Sequence, residues 1–101
     1  MEVIFNDEVR RFIKSLQKPT EAKLNQSILL LGDYGFALGM PRVKFVMDGI
    51  YELRVRGQQE VRVFFIFYQK QAYLLHGFVK KTQKTPKKEL EIAKSRKRAL
   101  T

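Results

Sequence analysis

Six basic side chains stand within or just after three consecutive apolar runs in the second half of this chain. Arg54 and Arg56 punctuate Ile50-Tyr51-Glu52-Leu53-Arg54-Val55-Arg56, Arg62 opens Val61–Tyr68, and Lys80, Lys81 and Lys84 close or follow Ala72–Lys80. A guanidinium is permanently charged and its planar fork matches two phosphate oxygens, whereas an ammonium is a point charge that can also yield a proton. Such a set suits the binding of a phosphodiester and the stabilisation of negative charge developing on it. The one histidine, His76, lies in the same stretch. It titrates near neutrality, so it and a lysine made more acidic by neighbouring cations are the candidates for proton transfer. A lone histidine in an apolar strand is, however, as readily a packed or hydrogen-bonded residue as a catalytic one. Tyr68 and Phe78 interleave with the cations and are the aromatic candidates for contact with a nucleic acid.

The charge of the whole chain points the same way. Residues 1–40 carry five basic and five acidic side chains, while residues 41–101 carry the other 15 basic and 5 acidic ones, so the entire formal charge of +10 sits in the second part. A one-sided field of this kind speeds association with a polyanion, and RNA is the polyanion expected. Solubilising charge is ordinarily spread over a surface, and this is not.

These cations need a sheet to bring them together. Phe, Val, Ile and Tyr dominate Val43–Met47, Ile50–Arg56, Val61–Tyr68 and Ala72–Lys80, which read as four strands, with a turn at Asp48-Gly49. Alternation with period two puts Tyr51, Leu53 and Val55 on one side and Glu52, Arg54 and Arg56 on the other. Likewise Val61, Val63, Phe65 and Phe67 oppose Arg62, Phe64, Ile66 and Tyr68, and Tyr73, Leu75, Gly77 and Val79 oppose Leu74, His76, Phe78 and Lys80. Arg54 and Arg62 share a face only if the hairpin pairs Arg56 with Glu60 around Gly57-Gln58-Gln59; pairing Arg56 with Val61 would separate them. With the first register, Arg54, Arg56, Arg62, His76 and Lys80 line one open face. Two directly opposed arginines repel, which suggests an anion held between them. Phe64 and Ile66 are expected beneath a C-terminal helix.

The rest of the chain reads as scaffold. Val3–Phe5 is a short strand, and Asn6 caps a helix whose stripe is Val9, Phe12, Ile13 and Leu16, with Asp7 and Glu8 at its positive end. Pro19 opens a second helix with the stripe Leu24, Ile28 and Leu31, ending by the Asp33-Tyr34-Gly35 turn. A third runs from Pro86 to Arg98. The expected fold is α+β over residues 1–101 as one domain: two N-terminal helices packed on an antiparallel sheet, with a C-terminal helix. Without cysteine there are no disulfides or Cys-based zinc sites, and one histidine builds no conventional metal site. The longest apolar run, near Ile28–Leu31, is too short for a membrane span, and Met1–Asp7 lacks signal-peptide features. A soluble, cytoplasmic protein is expected.

The succession YELRVR, RVFF and HGFVKKTQKTP, within residues 50–86, resembles the RelE/ParE toxin superfamily, specifically its HigB-like branch with phage-derived relatives. The resemblance extends over essentially the whole chain. It implies a microbial-RNase-like fold and a toxin of a type II toxin–antitoxin system that cuts mRNA on the ribosome, the ribose 2′-OH attacking the phosphate without metal or cofactor. It places the basic position of the second sheet strand on Arg54, with Glu52 where RelE has a lysine. It puts the phosphate-binding arginine on Arg62 and the final basic cluster on Lys80 and Lys81; RelE's C-terminal arginine and tyrosine have no clear equivalents. It also implies a cognate antitoxin, acidic and helix-turn-helix in type. Two rivals remain open: a ParE-like inhibitor of gyrase and a non-enzymatic RNA- or ribosome-binding protein.

Overall fold

The computed structural model describes residues 1–100. Its elements run β1 (Val3–Phe5), α1 (Asp7–Ser15), α2 (Lys18–Tyr34), a 3₁₀ turn at Gly35–Ala37, β2 (Val43–Met47), β3 (Ile50–Val55), β4 (Val61–Tyr68), β5 (Gln71–Val79) and α3 (Lys87–Leu100). The strands form one sheet in the order β1-β5-β4-β3-β2. All neighbours are antiparallel except β1, which joins the edge parallel to β5, so the sheet is mixed rather than purely antiparallel.

The helices begin where their chemistry dictates. Asn6 accepts a hydrogen bond from the Val9 amide through its side chain, and Asp7 and Glu8 occupy the first turn of α1. Val9 and Ile13 from α1, Leu16 just after it, and Leu24 and Leu31 from α2 are buried against Leu53, Val55, Val61, Val63 and Phe65. Gly77 permits the close seat of α1: a Cβ there would fall 2.5 Å from the Phe12 ring.

The opposite face of the sheet is divided. Ile50, Phe64, Ile66, Leu75 and Phe78 pack beneath α3 around Ala93, as expected for Phe64 and Ile66. α3 adds little apolar surface and is fastened by polar ties. Arg96 donates to the Leu75 carbonyl and pairs with Glu8, and Lys97 donates to the Asp48 carbonyl. The Arg96 guanidinium, hydrogen-bonded to Glu8, holds that carboxyl below its ordinary range.

Two β-bulges alter the simple alternation. In β5 the pairing shifts between Phe64↔His76 and Phe65↔Leu74, leaving Leu75 without a counterpart. Ala72 and Leu74 therefore belong to the α1/α2 core, while Tyr73 and Leu75 pack on the α3 side. This corrects the uniform alternation expected over Ala72–Lys80. In β2 the register shifts between Phe45↔Tyr51 and Met47↔Ile50, with Val46 as the extra residue. The adjoining Asp48-Gly49 turn has positive φ at both positions, the conformation of a two-residue hairpin turn.

Candidate functional site

Arg54 and Arg62 are direct cross-strand partners, in the register that pairs Val55 with Val61. That is the parity which sets them on one face. Both are drawn in under the surface: the Arg62 side chain is 3% exposed and that of Arg54 14%. Their mutual repulsion is offset by Glu52, buried on the same face, whose Oε1 lies 3.5 Å from Arg54 Nε and 3.9 Å from Arg62 Nε. Arg62 Nη1 also donates to the Val61 carbonyl at 3.0 Å and to Glu60 Oε2 at 3.3 Å. The two Nε atoms are nevertheless buried without a hydrogen-bond partner. A buried donor left unmade costs about 1–3 kcal/mol, so these two guanidiniums are set to gain from an added acceptor.

Above them opens a cavity of about 740 Å³ lined by Lys44, Arg54, Arg56, Glu60, Arg62, Lys80, Lys81, Thr82 and Gln83. A smaller space of about 330 Å³ adjoins it, sharing Lys44, Arg54, Lys80 and Gln83 and adding Phe45, Val46, Glu52, Lys84 and Thr85. The Lys80 amide donates to the Glu60 carbonyl at 2.7 Å, which extends the ladder beyond β5 and fixes Lys80 beside Arg62. The hairpin between β3 and β4 is held from behind by α2: Lys23 Nζ donates to the Arg56 carbonyl and the Gln17 amide to Gln59 Oε1. Cations thus surround a space wide enough for an extended anionic chain, with the two most buried at its floor.

The cations named from sequence are brought together here: Arg54, Arg56, Arg62, Lys80, Lys81 and Lys84 all line one or other of these two spaces. Three other expected site residues are not. His76 lies under α3, with Nε2 2.9 Å from Glu89 Oε1 and its ring nearly parallel to that of Phe78. The space it borders is a separate one, between Glu8, Arg11, Ser15 and Arg96. Phe78 is buried against Phe64 with ring centroids 5.5 Å apart, and Tyr68 is half-buried at the far end of β4, edge-on to Tyr73. The face expected to be open is closed over these three by α3. The tight β4–β5 turn and the Leu75 bulge leave His76 and Phe78 facing that helix.

One cation of the site, Lys44, was not singled out from sequence. Lys44 pairs with Glu52 and so shares the face of Arg54. The Asp48-Gly49 hairpin was a usable signal, but continued unbroken from Met47↔Ile50 it would set Lys44 opposite Leu53, on the helix side. The Val46 bulge reverses that. Among the described residues no group of His, Cys, Asp and Glu is placed to hold a metal ion, and no helix is long and apolar enough to cross a membrane.

Comparison with known proteins decides the lineage. The family model described as phage-derived protein Gp49-like matches residues 11–98. This chain belongs to the Gp49-like family. Among solved structures, the fold matches that of an E. coli RelE toxin mutant in the free state, with TM-score 0.60 over 99% of this chain and 97% of that one. Identity is only 12%, so what the two share is the fold. No curated protein matches by sequence. The fold that the resemblance implied is thereby met: a Gp49-like chain has the α+β fold of that RelE structure.

Proposed function

We propose that this Gp49-like chain is the toxin of a type II toxin–antitoxin pair and an endoribonuclease that cuts mRNA on the ribosome. The observation that carries the reading is the opposed pair Arg54 and Arg62, whose buried Nε atoms make no hydrogen bond, on the floor of a cationic cavity. In the step proposed, the ribose 2′-oxygen attacks the adjacent phosphorus, the bond to the 5′-oxygen breaks, and a 2′,3′-cyclic phosphate and a 5′-hydroxyl result. Charge builds on the non-bridging oxygens during attack, and guanidiniums fixed beforehand stabilise that state more than the ground state. The Lys80 ammonium is the group that can protonate the departing 5′-oxygen. The carboxylates at the cavity, Glu52 and Glu60, are the groups that can take the 2′-OH proton. His76, engaged by Glu89 in a separate space, is not assigned a part.

Cytoplasmic mRNA at the ribosome is the proposed substrate, and the proposed partner is an antitoxin whose acidic residues cover the same cations. The test is expression without a partner: growth should stop and mRNA should be cleaved in primed ribosomes. Arg62→Ala should abolish both. A toxin undiminished by that change would overturn the nuclease reading, and inhibition directed at gyrase would replace it.

A further inference from the structure

A site for a polyanion has little use for a buried carboxylate, yet this one keeps Glu52. The residue is 6% exposed, within β3, with Lys44 opposite it on one neighbouring strand and Phe64 on the other. Its Oε1 stands 3.5 Å from Arg54 Nε and 3.9 Å from Arg62 Nε. Nε is the guanidinium nitrogen nearest the aliphatic stem. The carboxylate therefore braces each fork at its stem and does not compete for its outer end. Two opposed and largely buried cations need a countercharge, and one carboxylate serving both also fixes them relative to each other.

Glu60, the other carboxylate of the site, is placed differently. It precedes β4, its side chain is 40% exposed against 8% for Glu52, and it borders the larger space, which Glu52 does not. It meets Arg62 at Nη1, the outer end of the fork, where an incoming phosphate would bind. We propose that Glu52 is a positioning residue, a countercharge shared by Arg54 and Arg62 that sets both forks for the same phosphate, and that the 2′-OH proton goes to Glu60 instead. This rests on the proposed cleavage reaction and divides the two carboxylates between holding the cations and moving the proton.

Charge alone and positioning predict opposite signs. Removing a negative charge from a cationic cavity should strengthen its hold on a polyanion, whereas loss of the brace should weaken it. Binding of an uncleavable 2′-O-methyl oligonucleotide should fall in Glu52→Gln and rise in Glu60→Gln. On primed ribosomes Glu52→Gln should cleave up to about 100-fold more slowly, the cost of an ångström's misplacement, with the parental dependence on pH. Glu60→Gln should lose about 100- to 10,000-fold, together with the decline in rate that the parent shows as acid protonates its base. Because Glu52 acts through the arginines, its substitution should cost little more in an Arg54→Ala background. Glu52→Asp keeps the charge but draws it back from both Nε atoms; it should stay folded by circular dichroism and still bind more weakly. Parental or tighter binding by the Glu52 variants would overturn the assignment. So would multiplicative losses in the double variant, or an acid decline that vanishes with Glu52 and persists without Glu60. A parent protein that binds as described but leaves ribosomal mRNA intact would sink the nuclease reading and leave the bracing of the arginines supported.

Discussion

The two faces of the central sheet are made by the same strands and serve opposite ends. Toward α1 and α2, β3 and β4 present Leu53, Val55, Val61, Val63 and Phe65, all buried in one apolar layer. On the other side the same strands present Ile50, Phe64 and Ile66 under α3, then Glu52, Arg54 and Arg62 beyond the reach of that helix. The first face is satisfied as it stands. The second keeps two like charges opposed, a buried carboxylate between them and two Nε donors that make no hydrogen bond. Cores remove such conflicts, and functional sites retain them at some cost in stability. The difference between the faces marks the site more clearly than any single residue does.

That contrast can be broken most forcefully from the apolar side. Phe65→Ala removes a fully buried ring and should lower unfolding free energy by about 3–5 kcal/mol in a denaturant titration. Arg54→Ala should do the reverse of this. Stability should change little or rise, because the repulsion with Arg62 is relieved, whereas the cleavage rate should fall about 100- to 1,000-fold, roughly 2.7–4 kcal/mol of transition-state stabilisation. A large stability loss with unchanged cleavage would erase the distinction between the faces.

Gly77→Ala sharpens the comparison at the seam where α1 meets β5. The added methyl collides with Phe12, and a melt should report about 1–3 kcal/mol of destabilisation, with RNA affinity unaltered. At the far end of the sheet Gln69 and Lys70 both hold positive φ in the β4–β5 turn. Lys70→Gly should therefore stabilise the fold by about 0.5–1 kcal/mol without touching the cationic cavity. The smallest effect concerns the tie between α1 and α3. The Glu8 carboxyl is depressed by its hydrogen bond to Arg96. Its contribution is therefore present above the ordinary carboxyl value of 4.5 and lost as pH falls through the lower folded value. Glu8→Gln should melt slightly below the parent at neutral pH and converge with it in acid.

Much of this molecule was legible in its residues. Apolar spacing at Val9, Ile13 and Leu16, the Asn6 cap and the branched and aromatic runs of β3 and β4 specify their elements locally, within a turn or a strand pair. The segregation of charge into residues 41–101 announced a polyanion site, and the length of the Gly57-Gln58-Gln59 loop carried the parity that joins Arg54 to Arg62. What sequence could not decide was set by the bulges and by the reach of α3. Continued unbroken from Tyr68↔Gln71, the β4–β5 ladder would place Arg62 opposite Gly77 and turn Lys80 toward the helices; the Leu75 bulge returns Lys80 to Arg62's side. The Val46 bulge does the same for Lys44. A bulge depends on which side chains fit the two cores at once, a balance of packing across the sheet that no local window contains. The extent of α3 is likewise tertiary: by covering His76, Phe78 and Tyr68 and stopping short of Arg54 and Arg62, it separates packed residues from available ones.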